Sequence, residues 1–155
     1  MIITHLKNTA NLLDINGNCP VFLYDMQQME NYSADSVSGW FVLIPVIQEK
    51  FNFDNFADIR MNLPAVFAFI NPADRAINQD SKYYDKVFTW LIRERNRFLL
   101  NLDQIKDTEQ RRLITVRDEE ITTRYIAQDT FYDAPCTTIE FNLPITISQY
   151  GSICP

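Results

Sequence analysis

From Ile139 to Ile147 every odd position is apolar, and every even position from Thr138 to Ser148 is polar or is Pro144. Successive side chains of a strand point to opposite faces, so this period of two writes a strand with one dry face and one wet face. Such a strand needs a layer against which to bury Ile139, Phe141, Leu143, Ile145 and Ile147. Nothing else in the chain is patterned as clearly, and the rest is read around it.

Ile3, Leu6, Ala10 and Leu13 recur at helical spacing, and Asn16-Gly17-Asn18 is expected to end that first short helix in a left-handed turn. Cys19 to Tyr24 reads as a brief strand, followed by a long polar excursion over 25–38. Trp40 to Ile47 and Pro64 to Ile70 are apolar on both alternating faces, as interior strands are, and are expected to form the sheet centre. Pro45 has no N–H to give to a ladder, so it marks a bulge, an edge or the point where pairing stops. The stretch 49–62 reads as a loop.

Asp80 or Ser81 can cap a helix over 82–102. Its apolar stripe is Tyr84, Val87, Phe88, Leu91, Phe98 and Leu102, widened by Trp90, Ile92 and Leu99, with Lys86, Arg93, Glu94 and Arg97 placed opposite. A helix of that length, about 30 Å, suits packing across a small sheet. A charged connector over 103–112 leads to short strands at Leu113–Val116 and Ile121–Ala127, then to the alternating one. Asp129 to Pro135 joins the last two. The whole predicts one α+β domain over 1–155: a mixed, mainly antiparallel sheet, a long amphipathic helix across it, a short N-terminal helix, and loops at 25–38, 49–62 and 103–112.

With 155 residues, 46% of them hydrophobic, the chain suits a single substantial core. The net charge of -6 disfavours a nonspecific nucleic-acid binder or an anionic-membrane binder, and no apolar run approaches the roughly 18 residues of a membrane span. Cys19, Cys136 and Cys154 form no pair at metal or redox spacing and are expected as reduced thiols, two packed and one terminal. His5 stands alone, in a helix, without a serine elbow or catalytic-cysteine signature to serve. Three glycines cannot make a phosphate-cradling loop. Asp118-Glu119-Glu120 would point to alternate faces of a strand and reads as a solvated acidic corner; Asp54 with Asp58 and Asp129 with Asp133 are isolated pairs. No catalytic residue, metal or cofactor is expected, and the chain is not read as an enzyme.

The short first helix, the apolar hairpin with its polar excursion, the strand Leu63-Pro64-Ala65-Val66-Phe67-Ala68-Phe69-Ile70, the Asn71-Pro72-Ala73-Asp74 break and the helix opening Tyr83-Tyr84-Asp85-Lys86-Val87 together resemble the tail-terminator and tail-completion proteins of tailed bacteriophages. The likeness covers most of the chain and is one of pattern. It implies a structural virion protein: a homo-oligomeric ring at the neck or tail, joining head or connector to tail around the DNA channel and assembled in the host bacterial cytoplasm. Its partners would be copies of itself and other head, connector or tail proteins. DNA would be only passing cargo, sliding past an acidic lumen, and no membrane is involved.

Ring contacts join different patches of neighbouring subunits. Candidate interface residues are Phe51, Phe53 and Phe56 of the aromatic loop, Met29 and Tyr32 of the polar excursion, and Arg93 and Arg97, one turn apart on the long helix. The aromatic loop reads either as satellite core or as apolar surface covered by another subunit. The arginines read either as salt links to nearby acids or as contacts to an acidic neighbour. Two other functions stand beside the ring: a small binding module with a cleft beside the helix, and an enzyme acting through Asp118, Glu119 or Glu120.

Overall fold

A computed structural model of the protein describes residues 2–24, 39–45, 58–70, 81–131 and 134–148. In chain order its elements are α1 (Ile2–Ala10), β1 (Val21–Leu23), β2 (Gly39–Leu43), β3 (Asp58–Ile70), α2 (Ser81–Asp103), β4 (Ile114–Val116), a 3-10 turn at Asp118–Glu120, β5 (Thr123–Phe131) and β6 (Ala134–Ser148). The strands form one sheet in the order β1-β2-β3-β6-β4, with β5 also on β6. Only β1 and β2 run parallel; the other pairs are antiparallel. The class is α+β, with a mixed, mainly antiparallel sheet and α2 packed against it.

The alternating segment occupies the middle of this sheet. β6 pairs along its length with β3, from Asp58 opposite Ser148 to Ile70 opposite Cys136, and on its other side carries β5 and then β4. The odd positions of both long strands face the helices. There Phe67, fully buried, meets Trp40 of β2, Phe98 of α2 and Phe141 of β6 edge-on, with ring centroids 5.9, 5.8 and 5.3 Å away. One ring thus ties three neighbouring elements together, each aromatic contact adding about 0.5–1.5 kcal/mol to plain burial. Val87, Leu91, Phe98 and Leu102 of α2 and Leu6 and Ala10 of α1 close the same core.

The opposite face is divided. Toward β1 and β2 it carries a second buried cluster of Leu23, Phe41, Leu43, Ala68, Ile70 and Cys136. Toward the other end it is polar: Arg60 and Asn62 of β3 are exposed, and Asn142 of β6 is half-buried. β6 is therefore dry on one face from Thr137 to Ile145, with Ile147 partly buried, while its second face is wet only over part of its length; Thr138 there is 1% exposed.

Several expectations are corrected. The first helix stops at Ala10, and Asn16-Gly17 does not cap it. Both residues take positive φ, 53° and 82°, in a two-residue turn where Ile15 and Asn18 exchange backbone hydrogen bonds at 3.0 Å. Asn-Gly suits that turn because glycine, and next to it asparagine, bears left-handed φ at least cost. The loop expected over 49–62 ends earlier, since β3 begins at Asp58, and from Arg60 to Leu63 exposed and buried positions already alternate with the period of a strand. The sheet centre is β3 with β6, leaving β2 one place out. Pairing in β2 ends at Leu43, so Pro45 does mark where it stops.

Two prolines lie inside central strands, and the register explains both. The Arg117 N–H donates to the Pro144 carbonyl at 2.9 Å, so Pro144 turns its missing N–H toward the β4 side. The ladder bond it lacks would go to the Arg117 carbonyl, which instead accepts the Glu120 N–H at 3.1 Å as the 3-10 turn begins. Pro144 sits where β4 leaves the sheet and β5 has not yet joined. By the same alternation Pro64, opposite Asn142, faces the β2 side beyond the last β2 partner, Val66.

Candidate interaction surfaces

Candidate surfaces lie on the two flanks of α2. Its buried stripe is Val87, Leu91, Glu94, Phe98 and Leu102, spaced by three and four residues. One flank faces α1 and the segment after it; the other faces β5.

On the α1 flank the sequence placed Glu94 in solvent, and the structure corrects this: Glu94 is 0% exposed. A carboxylate taken out of water needs partners on its oxygens, or it costs several kcal/mol. Glu94 accepts the Asp14 N–H at 3.0 Å, Arg93 Nε at 2.8 Å and Arg97 Nη1 at 3.2 Å. Each guanidinium also donates to a carbonyl of the connection it holds: Arg93 to Asp14 and Arg97 to Leu12, both at 3.3 Å. The three side chains clamp the chain after α1 onto the middle of α2. Arg93 and Arg97 remain about half exposed, at 53% and 48%. The salt-link reading of the two arginines is observed, and their outer surfaces still meet solvent. Leu12 and Leu100 stand beside them, 60% and 63% exposed. Leu100 lies three residues on from Arg97, on the same side of the helix.

On the β5 flank, Phe88 meets Tyr125 edge-on at 5.7 Å, Arg95 donates to the Thr123 hydroxyl at 2.8 Å, and Gln128 donates to the Tyr84 hydroxyl at 3.0 Å. Tyr125 remains 51% exposed. Leu12, Leu100 and Tyr125 are the exposed large hydrophobics among the described residues, and the two flanks divide them.

The segment after α2 is an ordered connector. Asp107 accepts the Glu109 and Arg111 N–H groups, both at 2.9 Å, and Arg111 Nε at 2.8 Å, closing a turn over which Lys106 bridges to Arg112. Desolvation pushes the Asp107 carboxyl upward, but these bonds and the Arg111 charge outweigh it and hold the group below the ordinary carboxylate value. Arg117 then reaches over the sheet to the Ile145 carbonyl at 2.8 Å, the Thr146 hydroxyl at 2.9 Å and the Met61 carbonyl at 3.2 Å. Asn142 accepts the Thr122 N–H at 2.7 Å and donates to the Glu120 carbonyl at 2.9 Å. Asp118-Glu119-Glu120 forms a 3-10 turn and not a strand. Glu120 pairs with Arg117 at 3.1 Å, while Asp118 and Glu119 are exposed and make no ion pair among the described residues. Among the described residues, no three His, Cys, Asp or Glu side chains come together as metal ligands would.

Met29, Tyr32, Phe51, Phe53 and Phe56, read from the sequence as interface candidates, lie outside the described residues, as do Asp54, Asp133 and Cys154. Cys19, expected to be packed, is exposed; Cys136 is buried, and desolvation, with the nearby Asp129 charge, pushes its thiol up to about 12. His5 is half-buried in α1, which lowers its imidazole below the ordinary value. Sequence reasoning passed over Leu12, Leu100 and Tyr125. The signal for Leu100 was its spacing, two residues from both Phe98 and Leu102, which takes it off the buried stripe. No protein-family model matches the chain, and no curated protein sequence does.

Proposed function

We propose that this chain is a structural subunit that assembles with copies of itself into a closed ring, of the kind that completes or terminates a bacteriophage tail and joins it to the head or connector. On this reading it performs no catalysis and binds no cofactor. Its other partners are virion proteins, and DNA passes through the ring without being recognised. The observation that carries the reading is the placement of α2 across the β3–β6 pair, with closing strands β4, β5 and β6 following it in sequence. That is the arrangement the family resemblance implies. Charge placement supports it too, since the ionic groups Glu94, Asp107 and Arg117 hold the chain's own backbone. Electron microscopy of the purified protein tests it. Class averages with rotational symmetry are expected; monomers at high concentration, even with head and tail proteins supplied, would overturn the reading.

A further inference from the structure

Of the chain's three glycines, Gly17 alone follows an asparagine, and that pair forms the turn between Ile15 and Asn18. Such a pair carries chemistry of its own, because the backbone nitrogen after an asparagine can attack the side-chain amide carbon, and glycine puts no side chain in the way. We propose that Asn16 is a site of spontaneous deamidation in the folded protein, and that opening of its turn gates the reaction.

The new bond joins the Gly17 nitrogen to Asn16 Cγ. The bond that breaks is from Cγ to the amide nitrogen, which takes up the Gly17 proton and leaves as ammonia. Water then adds to either carbonyl of the five-membered imide and opens it. One opening gives aspartate; the other gives isoaspartate, in which the main chain runs through the side chain and is one atom longer. Water is the only co-reactant.

The pair is exposed, and a Cβ at Gly17 would have nothing within 4 Å, so the approach of water is open. Among the described residues neither the Asn16 amide nor the Gly17 N–H has a hydrogen-bond partner, which leaves nucleophile and leaving group untied. The gate is the backbone itself. Asn16 is left-handed, with φ 53°, and the ψ that accompanies such a φ is about 47°. Ring closure needs the Gly17 nitrogen eclipsed with Cβ about the Cα–C bond; near that ψ it stands almost opposite. The closed turn therefore does not react, and the bonds between Ile15 and Asn18 must open first.

What holds the turn shut lies on either side of it. The Asn18 carbonyl also accepts the indole N–H of buried Trp40 at 2.9 Å, and Asp14, two residues before the pair, is held by Glu94 and Arg93. Isoaspartate cannot rebuild this turn. Its longer main chain no longer matches the two-residue span from Ile15 to Asn18, and it adds a carboxylate two residues from Asp14, so the segment after α1 loosens irreversibly from α2.

Folded protein kept at pH 8 for weeks tests the site, read by peptide mapping with electron-transfer fragmentation to tell isoaspartate from aspartate. Conversion at Asn16 is expected, at least about tenfold slower than in the same chain unfolded in guanidinium chloride. Arg93→Ala with Arg97→Ala releases the clamp and is expected to speed conversion about tenfold, and the milder Glu94→Gln less, with circular dichroism as the check on folding. Arg117→Ala, which weakens the sheet away from the turn, is expected to leave the rate within about twofold of wild type. An Asn16 that stays intact in the folded wild type while the unfolded chain converts would overturn the site. A folded rate equal to the unfolded one, or clamp variants that leave the rate unchanged, would overturn the gate. Equal speeding by Arg117→Ala and the clamp variants would overturn it too, since the reaction would then run through global unfolding.

Discussion

Glu94 and Asp107 do the same chemical work in two different settings. Glu94 accepts one backbone N–H and two arginines, Asp107 two backbone N–H groups and one arginine, and each fixes a connection next to α2. Glu94 has no exposed side-chain surface and ties residues 80 positions apart, whereas Asp107 is 15% exposed and ties a turn only four residues long. Water decides what each motif is worth. At Asp107 solvent can replace any lost partner, and the turn is local. At Glu94 nothing else can satisfy the charge, so the helix, the end of α1 and the Asn-Gly turn stand or fall together.

Removing the partners instead of the acid is the hardest test of that contrast. Arg93→Ala with Arg97→Ala strands the buried carboxylate and should cost about 3 kcal/mol, at the low end for an unpaired buried charge because water can enter where the guanidiniums leave. Glu94→Gln keeps an acceptor for Asp14 and should cost about 1–2 kcal/mol. Urea denaturation measures both, and equal losses would remove the asymmetry. Arg117 lies between the two settings, with 18% of its side chain exposed. Arg117→Ala frees three acceptors on β3 and β6 and should cost about 2 kcal/mol by the same measurement.

At Asp107 the expected effect is smaller and carries a pH signature. Its folded pKa is depressed, so its contribution is present above the ordinary value of 3.8 and fades as pH falls through the lower folded value. Asp107→Asn should lower the melting temperature slightly at neutral pH, and the gap from wild type should close below that point. A gap that widens in acid would contradict the geometry. The smallest perturbation uses the thiols. Iodoacetamide at pH 8 should label Cys19 and leave Cys136 untouched until urea is added, as peptide mapping would read; labelling of native Cys136 would mean that the second cluster opens easily.

Much of this frame was written in local pattern. The alternation at Ile139–Ile147 and the stripe Val87, Leu91, Phe98, Leu102 each needed only a period, and β6 and α2 are where the periods put them. What local pattern could not carry was pairing. A two-faced strand reads as half-covered whether it lies at an edge or in the middle, so the central place of β6 was hidden. Glu94 was misplaced because a charged residue was sorted by its own polarity, while the partners that make its burial tolerable sit on Asp14 and two neighbouring arginines. The Asn-Gly pair was assigned to a helix end since both settings ask for left-handed φ. On the flanks of α2, Arg93 and Arg97 were legible in advance and the spacing of Leu100 took it off the buried stripe, whereas nothing in the sequence marked Leu12 or Tyr125 as exposed.

Pro144 has a consequence for how this sheet behaves in a crowd. Because it interrupts the outer rim of β6, that rim is finished by two separate strands with a charged 3-10 turn between them, not by one long ribbon. A continuous ribbon would invite the same rim of another molecule to zip onto it and keep going, the route to fibres. The gap breaks the template into short lengths, so this rim offers no long ribbon on which endless pairing could propagate.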